Sequence, residues 1–156
     1  ALVRGGSNGP TSVAELAGKR IAFMQGTTTE AALGRALALA GAKATMVPVK
    51  DGDHGIAALL DGKVDAYASD RMLLTQLRAS HARGGTLAFI ADDFSFEPYG
   101  LVVPRNDADF RLLVNRTLVG LYKSGGIDPL FIRWLAPYGM PGPLLNAMFY
   151  LNSLPE

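Results

Sequence analysis

Residues 25–30 carry side chains and backbone that could bind a small anion. The run reads Gln-Gly-Thr-Thr-Thr-Glu and lies between a predicted strand and a predicted helix. Free amides at a helix N terminus attract a carboxylate. Gly26 lets the backbone approach a ligand closely, and the hydroxyls of Thr27, Thr28 and Thr29 add neutral donors. The alternative is that one threonine is simply the N-cap of the helix.

Asp70 is a second residue that could contact a ligand. It directly follows the run Ala-Tyr-Ala-Ser at 66–69, so a carboxylate stands at the carboxyl end of a predicted strand. Such a group can accept hydrogen bonds from an ammonium. The alternatives are an N-cap for the helix that starts at Arg71, or an ion pair with Arg71. Since parallel strands bring their carboxyl ends to one edge, the anion-binding turn and Asp70 could face one zwitterion.

The histidines offer weaker signals. His54 lies in a third predicted turn, residues 50–55, where it could reach a ligand side chain or could be a solvated loop residue. His81 is predicted at a surface helix end. Two isolated histidines are poor metal ligands, and the chain has no cysteine. Motifs for nucleotide binding, serine hydrolysis and zinc proteolysis are absent, so we predict no catalytic residue, no metal and no cofactor.

The elements that must position these residues alternate as in an α/β fold. Repeated strand–helix–strand order predicts right-handed βαβ units and a largely parallel sheet. A helical turn at 12–17 is expected from the capping-box spacing of Ser12 and Glu15. The predicted strands span 20–24, 43–49, 64–69, 87–90 and 99–103, and the predicted helices span 29–40, 56–60 and 72–82.

The last third of the chain has a different character. Asp107 favours a helix start, Gly125 and Gly126 end that helix, and a second helix is predicted at 127–135, with Trp134 in a core. This helical part, about 105–156, has much apolar surface and no sheet of its own, so it needs a partner. Its apolar residues recur three or four positions apart and would share one side of a helix; they are Phe110, Leu113, Val114, Leu118 and Leu121.

Composition narrows the class of protein. The 156 residues carry a formal charge of +1, which argues against a nucleic-acid binder. A hydrophobic fraction of 49% argues against disorder, and no apolar run approaches the ~18 residues of a membrane span. No signal peptide opens the sequence, so we expect either a cytoplasmic protein or a chain that lacks the start of a longer one.

Several runs resemble the second lobe of polar amino-acid binding proteins of bacterial ABC importers, the extracellular solute-binding protein family 3. They are LAGKRIAFMQGTTTE at 16–30 and AALLDGKVDAYASD at 57–70. The stretch from PYGLVV at 98–103 through LYKSGGI at 121–127 to Trp134 is similar to the family's return strand and C-terminal helices. The glutamate/aspartate-type receptors are the most similar members.

The resemblance implies a periplasmic receptor, not an enzyme, that closes on one amino acid and delivers it to a membrane permease. It implies that Thr27 and Thr28, beside Gly26, bind the α-carboxylate and that Asp70 holds the α-ammonium. Met24 and Thr29 would lie near the ligand side chain, with glutamate or aspartate as one option. His54 matches less well, because the family's ligand-contacting histidine aligns nearer Gly52.

The resemblance also divides the chain. It implies a first interlobe crossing strand at 1–9, a type II periplasmic-binding lobe with a mostly parallel sheet at 10–97, a return crossing strand at 98–104 and C-terminal helices of the other lobe at 105–156. The family's N-terminal segment, with its arginine clamp for the carboxylate, is absent, so the chain alone should bind amino acids weakly or not at all.

Apolar residues on 110–135 should be exposed or covered by another copy, as a homodimer or swapped dimer. The alternatives are a periplasmic cyclohexadienyl dehydratase-like enzyme and a sensor domain of a signalling receptor.

Overall fold

The computed structural model describes residues 1–6, 9–95, 100–136 and 142–153. The chain forms two compact units, unit 1 (Ala1–Glu97) and unit 2 (Pro98–Glu156). This division falls beside the predicted boundary at 97, while the roles of 1–9 and 98–104 as crossing segments stay predictions. We describe each unit by itself.

Unit 1 is built on a five-stranded mixed sheet with the strand order β3-β2-β4-β1-β5. The central strand β2 pairs in parallel with both β3 and β4, whereas β1 runs antiparallel to β4 and β5. Four strands therefore point one way and β1 points the other, so the predicted largely parallel sheet is confirmed apart from β1. The strands are β1 (Leu2–Arg4), β2 (Arg20–Met24), β3 (Thr45–Val49), β4 (Ala66–Ala68) and β5 (Leu87–Phe89).

Helices cover both faces of this sheet. Alternate residues of a strand face opposite sides, so Phe23 of β2 packs on one core while Ala22 packs on the other. Leu33 of the first helix lies in the first core, and Ile56 and Leu74 of the next two helices lie in the second. Each fully buried aliphatic side chain contributes roughly 1.5–3 kcal/mol to folding. The helices are α1 (Thr28–Leu39), α2 (Gly52–Leu60) and α3 (Arg71–Ser80), with 3₁₀ turns at Ala14–Leu16 and Gly84–Thr86.

The end of the sheet where β2 begins is tied together by one carboxylate. Asp65 accepts hydrogen bonds from the backbone amide of Arg20 at 2.9 Å and from its guanidinium, and it forms an ion pair with Arg4 at 3.5 Å. The bonds from Arg20 lower the pKa of Asp65 despite its partial burial. One carboxylate therefore binds two guanidinium groups at this end of the sheet.

Two predicted details of unit 1 are wrong. Helix α2 starts four residues before Ile56, because the Asp51 carboxylate accepts a hydrogen bond from the amide of His54 and so begins the helix inside the predicted turn. The capping box of Ser12 does not form, since Glu15 instead accepts from the amide of Thr11 at 2.7 Å. Residues 50–55 are charged and rich in glycine, which is typical of a turn, so the start of α2 within them was not predicted.

The predicted strand at 99–103 is also wrong where it can be checked. Residues 100–103 have no regular structure, and Tyr99 lies outside the described residues. Val102 is fully exposed, at 100% of its surface. A strand requires a neighbour to accept its backbone hydrogen bonds, and no described strand pairs with this segment.

Unit 2 consists of three helices in its described part. Asp107 caps the first by accepting from the amide of Phe110 at 2.9 Å, as its position predicted. Gly125 ends that helix in the left-handed conformation, with φ of +71°. The third helix, which the proline-rich tail had not predicted, begins at Pro143, a residue well suited to a first helical turn. The helices are α4 (Ala108–Ser124), α5 (Ile127–Leu135) and α6 (Pro143–Leu151).

The helices of unit 2 expose much of their apolar surface, as the sequence predicted for residues 110–135. Tyr122 of α4 stacks on Phe149 of α6, with ring centroids 5.3 Å apart, and Phe131 is the buried residue of α5. Trp134 is 63% exposed, so its predicted place in a core is wrong for this chain. The other large exposed residues of α4 and α5 are Phe110, Leu112, Leu113, Leu130 and Ile132.

The amino group of Ala1 predicts a pH-dependent stability for a chain with a free amine there. Burial, reinforced by the positive charge of Arg71, lowers its pKa from 8.0 to about 5. The unfolded chain then binds more protons between pH 5 and 8. Stability should therefore be complete above pH 8 and fall by up to about 4 kcal/mol as the pH drops to 5. Urea unfolding across this range measures the effect, and an Nα-acetylated chain, which cannot titrate at Ala1, should lack it.

Candidate functional site

Three helices of unit 1 begin at the same edge of the sheet. In the parallel register, Met24 of β2 lies opposite Val49 of β3, and Phe23 lies opposite Ala68 of β4. The carboxyl ends of these three strands are therefore level, and α1, α2 and α3 start just beyond them. Because β2 lies between the other two strands, the start of α1 lies between the starts of α2 and α3. The structure thus confirms the prediction that the polar residues after β2 and after β4 lie at one edge of the sheet.

The turn from β2 into α1 contains five of the predicted binding residues. Gly26 has φ of +75°, a left-handed conformation that favours glycine, and its amide donates to the Glu30 carboxylate at 3.1 Å. Thr27 is the N-cap residue of α1, but its hydroxyl donates back to the carbonyl of Met24 at 2.8 Å and does not cap the helix. Thr28 and Thr29 form the first helical turn. The positive end of α1 therefore lacks the side-chain cap that a threonine commonly provides there.

Asp70 is the N-cap of α3, the structural role that the sequence had offered as an alternative. Its Oδ1 accepts from the amides of Met72 at 2.8 Å and Leu73 at 3.1 Å. These bonds fix the orientation of an exposed carboxylate at the end of β4. A carboxylate offers about four lone-pair positions, so capping does not exclude a bond to a ligand. The predicted pairing with Arg71 is not the one observed, because that guanidinium contacts Asp93 at 2.7 Å.

His54 lies in the first turn of α2 and not in a loop. Its Nδ1 is 2.7 Å from the Asp51 Oδ1 that also accepts from its amide. These two hydrogen bonds lower the pKa of Asp51. Both groups are solvent-accessible, so the pair is stabilised by capping geometry more than by burial. His54 thus lies at the candidate edge, on the opposite side of α1 from Asp70.

Tyr67 lies under the first turns of α2 and is fully buried. Its ring touches α2 at Gly55, where any larger residue would overlap ring carbons Cζ and Cε2. Its hydroxyl lies near Ser69 and makes no hydrogen bond of good geometry to the described residues. Burial raises the pKa of Tyr67, the Ser69 hydroxyl opposes that shift, and the carboxylates of Asp51 and Asp53 add to it. The hydroxyl therefore lies near the candidate edge, close to two carboxylates.

Sequence reasoning missed three contributors to this edge. Glu30 holds the Gly26 amide, Asp51 starts α2, and Tyr67 supports it. The spacing of an aspartate three residues before His54 was a signal for an N-cap that could have found Asp51. Nothing in the sequence marks Tyr67, because its burial depends on where α2 packs.

The described residues contain no group of three or more side chains suited to a metal ion, and no described helix is both long and apolar enough to cross a membrane. Unit 2 has a depression of about 360 Å³ among its helices, and unit 1 has one of about 350 Å³ beside Arg4 and Lys19. The edge itself is an open surface on unit 1.

Comparison with known proteins identifies relatives over most of the chain. A family model described as NMT1/THI5 like matches residues 2–108. The chain is 27% identical over 139 residues to the L-glutamate/L-aspartate-binding protein of Pseudomonas aeruginosa, and 25% identical over 140 residues to the glutamate/aspartate import solute-binding protein of Escherichia coli. The alignments cover 89% and 90% of this chain but 46% of each relative. The chain thus spans about half the length of the curated relatives it matches.

Solved structures show the same fold. An ABC transporter periplasmic binding protein from Brucella ovis with glutathione bound is 25% identical, with a TM-score of 0.69 over 80% of this chain and 40% of that one. A binding component from Wolinella succinogenes complexed with lysine is 23% identical, with a TM-score of 0.68 over 86% and 57%. An ancestral arginine-binding protein bound to arginine is 22% identical, with a TM-score of 0.65 over 86% and 58%.

Proposed function

Because this chain belongs to the NMT1/THI5-like family and has the α/β fold of type II periplasmic binding proteins, we propose that it is the ligand-binding part of an amino-acid receptor for an ABC importer. The ligand is a polar amino acid, held by its α-carboxylate and its α-ammonium. The role is binding and release, with no catalytic step.

One observation carries this proposal: of the three helices that start at the candidate edge, α2 and α3 have aspartate caps and α1 has none. The anion-binding position at α2 and α3 is occupied by the protein's own carboxylates. At α1 the Glu30 carboxylate accepts from the Gly26 amide, but Thr27 caps no amide of the helix, and the helix dipole favours a carboxylate from outside. The ligand α-carboxylate therefore binds at Gly26, Thr27 and Thr28.

The second anchor is Asp70, across the sheet edge from that turn. Its carboxylate is fixed by the amides of α3 and lies at the end of the strand next to β2. A charge-assisted hydrogen bond from an α-ammonium to such a group is about twice as strong as a neutral one. The two anchors together recognise the part that all α-amino acids share, whereas Met24, Thr29 and His54 lie beside the side chain.

The rest of the assembly is proposed from the relatives. A second lobe completes the site, so the chain alone binds amino acids more weakly than micromolar. The receptor works in the periplasm and delivers its ligand to a membrane permease. The exposed apolar residues of α4 and α5 are covered by that lobe or, in the isolated chain, by a second copy in a homodimer or swapped dimer. Sedimentation velocity distinguishes a dimer from a monomer.

An enzyme of the cyclohexadienyl dehydratase type and a sensor domain are the alternatives on the same fold. An enzyme needs a general acid or base placed at the ligand. The two candidates at this edge are Asp70, which caps α3, and His54, whose ring is hydrogen-bonded to the Asp51 carboxylate. The family and the named relatives favour the receptor over either alternative.

A titration followed by ¹⁵N–¹H spectra tests the proposed function, since it detects millimolar binding. An α-amino acid should shift the amides of residues 24–30 and 70–73, and its affinity should exceed that of its deaminated and its decarboxylated analogue by at least about tenfold, because each analogue loses one charge-assisted contact. Amides at the opposite end of the sheet of unit 1, at residues 19 and 20, serve as the internal control. Equal affinity for the amino acid and both analogues would contradict the proposal.

A further inference from the structure

The end of unit 1 opposite to the candidate edge carries a cluster of exposed cations. The strands β2, β3 and β4 begin at this end, and β1, which runs the other way, finishes there. Lys19 directly precedes β2 and Lys43 lies just before β3, where the amide of Thr45 donates to the carbonyl of Lys19 at 2.8 Å. The exposed cations of this end, termed the basic end, are Arg4, Lys19, Arg20, Lys43, Lys63 and Arg83.

Four of these cations share only two carboxylates. Asp65 binds two arginines, as described above, at 3.5 and 3.1 Å. Asp61 likewise contacts two cations, Lys63 at 3.7 Å and Arg83 at 3.1 Å. Because one carboxylate neutralises only one positive charge, an excess positive charge remains at each of the two clusters.

The arginines of the basic end are held in position by the backbone of the connection 59–65, which joins α2 to β4. Arg4 donates to two carbonyls of this connection, both at 2.9 Å. Arg20 donates to a third carbonyl at 3.0 Å, and Arg83 to a fourth at 3.3 Å. Since these side chains are already oriented, they lose less conformational entropy when a partner binds than free arginines would.

The charge of the basic end is strongly positive. Lys19 and Lys43 are exposed and form no ion pair within the described residues. Glu15, the nearest other acidic residue to Lys19 in sequence, is directed elsewhere, because its carboxylate accepts from the amide of Thr11. Six cations against two carboxylates leave a net charge of +4 at this end, although the whole chain carries only +1. Charge concentrated on one surface attracts a partner of the opposite sign.

An exposed apolar residue accompanies these charges. Leu39 is the last residue of α1 and lies four residues before Lys43. It is 90% exposed and is the one large apolar side chain in the described part of unit 1 that is exposed. Cations around an apolar side chain suit the headgroup region of a membrane, where charge and apolar contact both contribute to binding. A protein interface would instead contain several large apolar or aromatic side chains at its centre.

We propose that the basic end of unit 1 binds the anionic phospholipid headgroups of a membrane surface. The cations belong to several separate connections, so an extended array of phosphates meets more of them than one small anion could. Leu39 lies at the level of the headgroups. The candidate edge, at the other end of the sheet, stays accessible to a ligand, and the lipid contact does not depend on amino-acid binding.

Cosedimentation of the 156-residue chain with lipid vesicles tests this inference. Vesicles of equal parts phosphatidylcholine and phosphatidylglycerol should bind the chain at least about tenfold more tightly than vesicles of phosphatidylcholine alone, because several cations contribute together. Raising the ionic strength from about 0.01 to about 0.15 M should weaken binding to the anionic vesicles at least about fivefold, because salt screens exposed charges.

Two lysines at opposite ends of β3 provide matched variants. Lys43→Gln should weaken binding to the anionic vesicles about fivefold, because it removes one positive charge from the surface that contacts the headgroups. Lys50→Gln removes an equally exposed lysine just beyond the other end of the strand and should change binding by less than about twofold. Both side chains are exposed, so circular dichroism should show the same fold for the two variants.

Three outcomes would overturn the inference. Equal binding to the neutral and the anionic vesicles would assign any lipid contact to the exposed apolar helices of unit 2. An equal loss in Lys43→Gln and Lys50→Gln would mean that the basic end is not the contact surface. Tighter binding to soluble polyglutamate than to the anionic vesicles would identify an acidic protein as the partner instead of lipid. The amide titration with amino acids tests the proposed function separately, so either proposal can fail without the other.

Discussion

Replacing Gly55 by alanine should destabilise the chain by about 3 kcal/mol or more. The new Cβ would overlap the Tyr67 ring, with Cε1 only 2.8 Å away, and a fully buried ring inside a strand cannot move aside. Either α2 must shift away from the sheet or Tyr67 must leave its place in the core. The midpoint of urea unfolding measures the loss. The amides at the start of α2 should also shift, because this contact positions Asp51 and His54.

Gly34→Ala is the matched control for that substitution. Gly34 lies inside α1, and a Cβ at that position would meet no atom within 4 Å. Alanine is favoured over glycine in a helix by roughly 1 kcal/mol, so this variant should be as stable as the parent or more so. A Gly55→Ala chain as stable as the Gly34→Ala chain would show that α2 does not rest on the Tyr67 ring as described.

Asp70→Asn should weaken amino-acid binding by about ten- to a hundredfold with little change in stability. Asparagine caps a helix about as well as aspartate, so the bonds to Met72 and Leu73 persist. The negative charge is lost, and with it the charge-assisted hydrogen bond to the ligand ammonium, worth roughly 1.5–3 kcal/mol. Amide titration gives the affinity, and urea unfolding gives the stability.

Two further variants separate the roles of Asp70. Asp70→Ala removes cap and charge together, so it should lose about 1 kcal/mol of stability as well as binding. Asp107→Asn makes the same chemical change at the cap of α4 and should leave binding unaltered. Undiminished binding by Asp70→Asn would mean that Asp70 is a helix cap and nothing more, and that the ammonium is held elsewhere.

The order of elements could be predicted because local sequence patterns decide it. The strands at β2 and β3 and the helices α1 and α3 follow apolar runs and glycine stops that act within a few residues. Asp107 and Gly125 likewise set the ends of α4 through their own backbone geometry. Helix α2 was harder, because Asp51-Gly-Asp-His-Gly55 resembles a turn until the cap by Asp51 is recognised.

Unit 2 shows where local patterns stop being informative. The periodicity of α5 predicts a helix with an apolar side but not what covers that side. Trp134, expected in a core, is mostly exposed because the described helices of unit 2 leave that side of α5 open. Whether a side chain is buried depends on its tertiary contacts, and contacts with residues distant in sequence cannot be read from the local pattern.

The sequence by itself determined the α/β class, the polar turns at the ends of β2 and β4, and the near-neutral charge. Each of these follows from residue type and short-range spacing. Only the tertiary structure decided which of the three helix starts lacks an aspartate cap and where that start lies along the edge. The strand order that sets α1 between α2 and α3, and the choice of Thr27 to bond Met24 instead of capping its helix, arise from packing between segments far apart in the chain. The candidate residues could therefore be proposed from the sequence, whereas their order along the edge required the fold.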